Sequence, residues 1–153
     1  MMTPPTIAAA LHAAIDEGLK LFAGADERRT TVRSTPDAWC AREVIGHLID
    51  SACNNHRRFV LAQSGDLAHF DGYDQDAWIA RQRYHAVPWR DLVALWTAYN
   101  RHLAHVIAIT PPAVLACTAT SPDGMAPISL GFVMEDYVTH LRHHLGQLKS
   151  LLA

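Results

Sequence analysis

Residues 130–152, LGFVMEDYVTHLRHHLGQLKSLL, contain no proline, and Met134, Tyr137, Val138, Leu141, Leu145, Leu148 and Leu152 recur at steps of three and four. That period is the signature of an amphipathic helix with one buried stripe. The stripe is a wide arc, so it needs apolar partners on more than one side. A helix of this length spans roughly 30 Å at 1.5 Å per residue, so its partners must be of similar length.

Working back along the chain, three such partners appear. The first runs from about Thr6 to Ala23, with Ile7, Leu11, Ile15, Leu19 and Phe22 on one face. Pro4 and Pro5 sit at or just before its first turn, where proline is tolerated, and Gly24 stops it. The second runs from about Ala41 to Gln63, with Val44, Ile45, Leu48, Ala52 and Phe59 on one face. Glu43 lies three residues after Cys40, the spacing of a capping box with cysteine in place of serine or threonine. The third runs from about Pro88 to Ile109, with a stripe of Leu92, Leu95, Trp96, Tyr99, Leu103, Val106 and Ile107, and Thr110-Pro111-Pro112 closes it. Four long amphipathic helices can enclose one core, so the predicted fold is all-α, a four-helix bundle.

Two connections are long. Residues 64–87 link the second and third helices, and their middle, Asp74 to His85, reads as a short helix carrying Trp78 and Ile79. Residues 110–127 contain the turn Ser121-Pro122-Asp123-Gly124. Long links in a compact domain are often functional. The acidic stretch Phe70–Asp76 reads as a solvated loop ending in a helix cap, or as a lid over a site. It lacks the spacing of a calcium loop.

The 153 residues fit a single domain spanning 1–153. Half are hydrophobic and 18% are charged, which excludes a disordered chain. Thirteen basic against fifteen acidic residues, with no basic stripe, argue against a nucleic-acid binder or an anionic-membrane binder. No run of about 20 apolar residues could span a bilayer. The beginning of the sequence lacks a basic segment followed by an unbroken apolar one, so no secretory signal is expected. Cys40, Cys53 and Cys117 are odd in number and far apart, which fits a reducing, cytoplasmic setting rather than a disulfide framework.

The unusual count is ten histidines. Histidine is the commonest metal ligand. His140 and His144 lie four apart, about 40° on the helical wheel, so both can face one ion. They sit at the edge of the apolar arc. His143 points further out, beside Asp136. On the second helix His47 also sits at the arc's edge. Two helices presenting histidines at the rim of one core could bring three imidazoles together and leave a coordination position open, as catalytic zinc sites do. Imidazole also suits nickel, iron and copper, so the residues alone do not fix the metal. The plain alternative is that a His-x-x-x-His pair arises by chance in a histidine-rich chain and that His47 is a hydrogen-bonded core residue. His102 and His105 read as solvated, and His12, His56, His69 and His85 have no partner at ligand spacing. Phosphate-loop, dinucleotide, nucleophile-elbow and His-Glu-x-x-His motifs are all absent.

Three segments together carry a resemblance. Residues 36–59 (PDAWCAREVIGHLIDSACNNHRRF), 70–92 (FDGYDQDAWIARQRYHAVPWRDL) and 136–148 (DYVTHLRHHLGQL) are similar, in that order, to the DinB-like superfamily of metal-binding four-helix bundles. The resemblance implies a bundle with one long crossover connection. It also implies a divalent metal, Zn²⁺ or Ni²⁺, held by His47, His140 and His144. Cys40 departs from the serine usual before the second helix. Spacing alone makes Asp50, Asp136 and His143 candidates to support the ligands from behind. The family includes transferases that use a low-molecular-weight thiol and many members without a known activity. The expectation is therefore a metal-dependent small-molecule transferase using such a thiol, or a hydrolase on the same site. The alternative is a non-catalytic metal- or ligand-binding stress-response protein, or a purely structural bundle. A homodimer is also expected, to which Trp89 and Trp96 contribute unless they lie in the core.

Overall fold

A computed structural model describes residues 2–65, 69–120, 124 and 126–153. Five α-helices follow in the order α1 (Pro4–Ala23), α2 (Ala41–Ser64), α3 (Gln75–Gln82), α4 (Trp89–Ile109) and α5 (Leu130–Leu152). Two three-residue strands, β1 (Thr118–Thr120) and β2 (Pro127–Ser129), pair antiparallel in the link before α5. The four long helices are those expected from periodicity, and the short α3 falls within Asp74–His85. Of the turn expected at Ser121–Gly124, residues 121–123 lie outside the described residues.

Helix ends follow local chemistry. α1 begins two residues earlier than its apolar pattern suggested, because Pro4 and Pro5 occupy its first two positions, where no backbone donor is lost. At α2 the Glu43 carboxylate accepts the Cys40 backbone N–H at 3.0 Å, which satisfies one orphan donor, and Gly65 ends the helix at φ 74°. Asp74 accepts the Ala77 N–H to start α3, and Ser129 accepts the Phe132 N–H to start α5. Arg83 takes a left-handed φ of 51° and turns the chain between α3 and the 3₁₀ turn Tyr84–Ala86.

Each long helix packs mainly on two others: α1 on α4 and α5, and α2 on α4 and α5. Directions follow from paired contacts. Arg42 at the start of α2 bonds the Val87 carbonyl just before α4, and His56 further along meets His102 edge-on, so α2 and α4 run parallel. Met2 meets Glu135 and Glu17 meets Arg142, so α1 and α5 also run parallel. His47 meets His140 while Phe59 meets Tyr137, so α2 opposes α5. The path is up, down, down, up. Two parallel neighbours, α2 and α4, need a chain that returns to the starting end, and residues 65–88, carrying α3, make that crossover.

The core is continuous through all four helices and contains Leu11, Ile15, Leu48, Phe59, Trp96, Leu103, Ile107, Leu141 and Leu148. Trp89 and Trp96 belong to it, edge-on to Phe22 at 5.3 Å, which removes them from any subunit contact. Leu95, placed on the buried stripe by periodicity, is 51% exposed. No helix among the described residues is long and apolar enough to cross a membrane.

Candidate metal centre

The opposed run of α2 and α5 brings His47 against His140 and His144. The Nε2 atoms of His47 and His140 are 3.2 Å apart. One potential donor atom from each of the three imidazoles lies within 4.8 Å of the others. Ring centroids are 5.1 Å apart for His47–His140, 4.8 Å for His47–His144 and 4.6 Å for His140–His144. In a tetrahedral zinc site with Zn–N near 2.0–2.1 Å, ligand nitrogens stand about 3.3 Å apart. The His47–His140 spacing matches, and a His144 nitrogen lies within 4.8 Å of both.

Protonation favours the same use. Burial lowers the His47 pKa to about 3, helped by the charges of His144 and His140. Burial lowers His140 to about 4, with His144 and His143 adding to it. His144 is lowered too, by burial, partly offset by its bond to Gln147. All three imidazoles are therefore neutral near pH 7 and have lone pairs to give. The Nδ1–H of His144 donates to Gln147 Oε1 at 2.9 Å, which leaves its Nε2 free to face the other rings. The Trp39 ring lies 5.2 Å from His47 and closes the site on that side. The donor set, the spacing and the protonation state all fit a divalent transition metal.

The supporting residues differ from those expected by spacing. Asp50 is buried but reaches no imidazole: its Oδ1 accepts from Tyr84 Oη at 2.6 Å and from Gln82 Nε2 at 2.8 Å. Burial raises its pKa, and the Tyr84 and Gln82 bonds oppose that rise. The reason is tertiary, since the crossover delivers Tyr84 and Gln82 to the back of α2. The Nδ1 atoms of His47 and His140 are buried with no protein partner among the described residues. Asp136 is exposed beside His140, and His143 is exposed with its ring 5.1 Å from His144. Neither forms a hydrogen bond to a ligand ring. Gln147 does, and its position three residues after His144 was visible in the sequence.

The other histidines are dispersed. His102 and His105 are exposed, in line with the solvated reading. His56 does find neighbours, the Tyr99 hydroxyl at 3.3 Å and the His102 ring, but both come from α4 and so have no sequence spacing. His69 bonds Asp71 at 2.7 Å, and His85 lies 3.6 Å from Glu43.

A cleft of about 310 Å³ opens at His140. One wall is polar and comes from α2, with Ser51, Asn55 and Arg58. The opposite wall comes from β2 and α5, with Ile128, Phe132, Val133, Asp136 and Tyr137. The crossover supplies Gly72, Tyr73 and Gln75. The acidic stretch is thus both a helix cap and a cleft wall. Burial and the nearby Asp50 charge raise the Tyr73 phenol to about 12, so it keeps its proton.

Residues 10–148 match the model of the DinB superfamily. The chain belongs to that superfamily. Among its relatives, the Oceanobacillus iheyensis protein named "Putative metal-dependent hydrolase OB0782" is 28% identical over 113 residues, covering 74% of this chain and 64% of that one. The Bacillus subtilis protein named "Putative metal-dependent hydrolase YfiT" is 28% identical over 114 residues, with the same coverage of 74% and 64%. A similarly named protein of Bacillus mycoides is 23% identical over 126 residues, covering 82% of this chain and 72% of that one. The alignments thus span under two thirds of the length of the first two relatives. The solved structure of Bacillus subtilis YfiT, a four-helix bundle of unusual topology, superposes with a TM-score of 0.85 at 19% identity, over 97% of this chain and 85% of that one. That likeness shows a shared four-helix-bundle fold.

Proposed function

We propose that this DinB protein is a metal-dependent enzyme that transfers a small molecule onto a low-molecular-weight thiol. The observation that carries the reading is the convergence of three imidazoles from two helices, one of which, His140, lines a cleft with a polar wall. His47, His140 and His144 would hold Zn²⁺ or Ni²⁺. A divalent ion so held would lower the pKa of a thiol or water in its open position. The cleft then presents the second reactant from the α5 side, and the protonated Tyr73 hydroxyl is available as a hydrogen-bond donor.

Among the described residues no carboxylate joins the three rings, and Asp50 is bonded to Tyr84 and Gln82. A metal-held thiolate or a metal-held hydroxide needs no general base, so this arrangement suits either nucleophile. Hydrolysis by metal-held hydroxide is the second reading, and the names of the relatives favour it. Two measurements test the proposal. Elemental analysis of untagged protein is expected to show about one transition metal per chain, lost in His47→Ala and in His140→Ala/His144→Ala. Turnover of electrophilic test substrates is expected to require added thiol. Turnover of esters without thiol selects hydrolysis, and a parent that binds neither Zn²⁺ nor Ni²⁺ overturns both.

A further inference from the structure

Arg58 closes the end of the cleft remote from the histidines. His47, Ser51, Asn55 and Arg58 stand at positions i, i+4, i+8 and i+11 of α2, within about 80° of one another on the helix and with Arg58 about 20° from His47. They form one polar stripe that runs from the candidate metal centre along the α2 wall of the cleft. Eleven residues separate the α carbons of His47 and Arg58 by about 16 Å, and the side chains shorten that gap. A small molecule can therefore touch both ends.

The surroundings of Arg58 are those of a cation awaiting a partner. Its guanidinium stands 6.0 Å over the Phe70 ring, which backs it away from the cleft. One Nη donates to the Asp71 backbone carbonyl, and the other to Asn55 Oδ1 at 3.4 Å. The remaining N–H groups have no protein partner among the described residues, and Arg58 forms no ion pair there. The Asp71 carboxylate, whose charge reaches Arg58, makes its direct pairs with Arg57 at 2.5 Å and with His69 at 2.7 Å. Asp136 also lines the cleft, but it lies one helical turn before His140, towards the metal end. A partly buried guanidinium with no direct ion-pair partner among the described residues is costly, and its planar fork suits a carboxylate or phosphate.

We infer that the substrate or thiol cosubstrate carries an anionic group, a carboxylate or a phosphate, that binds Arg58 while its reacting end lies at the three histidines. The anion accepts from the free guanidinium N–H groups, with the Asn55 amide and Ser51 hydroxyl alongside. Asp136 sets the polarity of the cleft by disfavouring the reverse orientation. This assignment rests on the histidine cluster being the reacting end, and the test separates the two.

The probes are 6-mercaptohexanoate, 6-mercaptohexyl phosphate and the neutral 6-mercaptohexan-1-ol, together with hexanoate, which lacks the thiol. Binding is measured by calorimetry on zinc-loaded protein and on metal-free protein. The anionic thiols are expected to bind at least about tenfold tighter than the alcohol, because hydrogen bonds to charged groups are the strong ones. Whichever of the two is preferred identifies carboxylate or phosphate. In Arg58→Gln, which keeps much of the stem over Phe70, the preference is expected to fall to near one. Arg58→Lys is expected to retain much of it, which a purely structural role for Arg58 does not predict. Absence of a preference in the parent, absence of binding, or a preference unchanged in Arg58→Gln overturns the proposal. If the metal reading alone fails, zinc no longer favours thiol probes over hexanoate, while the Arg58-dependent preference for anions persists.

Discussion

Gly46 precedes His47 in the middle of α2, where alanine would ordinarily strengthen the helix by about 1 kcal/mol. The tertiary structure reverses the sign. A β carbon at Gly46 would stand 2.2, 2.3 and 2.7 Å from ring atoms of Tyr84, including the ring carbon bonded to its own Cβ. This is no flexible tip. Tyr84 is 6% exposed, and its hydroxyl donates to Asp50 at 2.6 Å, so the ring cannot move aside without breaking that bond. Overpacking costs about 1–3 kcal/mol. A lost hydrogen bond to a charged group costs about 1.5–3 kcal/mol. Set against the gain in propensity, Gly46→Ala is expected to destabilise by about 2–4 kcal/mol, lowering Tm by about 5–15 °C for a chain of this size. Gly146 on α5 is the control, because its added Cβ would meet nothing within 4 Å. Gly146→Ala is expected to raise stability by about 0.4–1 kcal/mol. The assay is thermal and urea unfolding followed by circular dichroism. A double-mutant cycle with Tyr84→Leu should shrink the Gly46→Ala penalty. The reasoning is refuted if Gly46→Ala is as stable as the parent, or if both glycines respond with the same sign.

Replacing Gln147 with leucine removes the acceptor that orients His144, and zinc affinity measured by competition with a chelator should fall about tenfold with little change in Tm. Trp96→Ala empties the most voluminous fully buried position, shared with Phe22 and Gly18, and should cost about 3–5 kcal/mol in urea unfolding. Burial alone would raise the Glu43 carboxyl, but the Cys40 N–H and the Arg33 guanidinium at 2.6 Å outweigh it and hold the pKa below its ordinary value. A depressed folded pKa gives stability that is present above the unfolded value of about 4.3 and is lost as pH falls through the folded one. The stability gap between the parent and Glu43→Gln should therefore be full near pH 6 and narrow below about pH 4 in unfolding curves taken across that range.

The sequence alone determined the four long helices, because each carries an apolar face at the helical period and its ends are marked by proline, glycine or a cap. It also placed His47, His140 and His144 at the rims of two such faces, since position on a wheel depends only on residue number. Spacing within one helix could find Gln147 beside His144, and the stripe His47, Ser51, Asn55 and Arg58 was legible in the same way once a cleft gave it meaning. Other relations could not be read, because they join segments distant in the chain. Asp50 looked free to support a ligand until the crossover brought Tyr84 and Gln82 to it. His56 looked partnerless until the parallel α4 set Tyr99 and His102 beside it. Trp89 and Trp96 could have faced either core or partner, and packing against Phe22 put them inside. Periodicity says which face of a helix is buried but not which helix it meets. That choice, and with it the convergence of three imidazoles and the place of Arg58 in the cleft wall, depends on the up, down, down, up path that the crossover imposes.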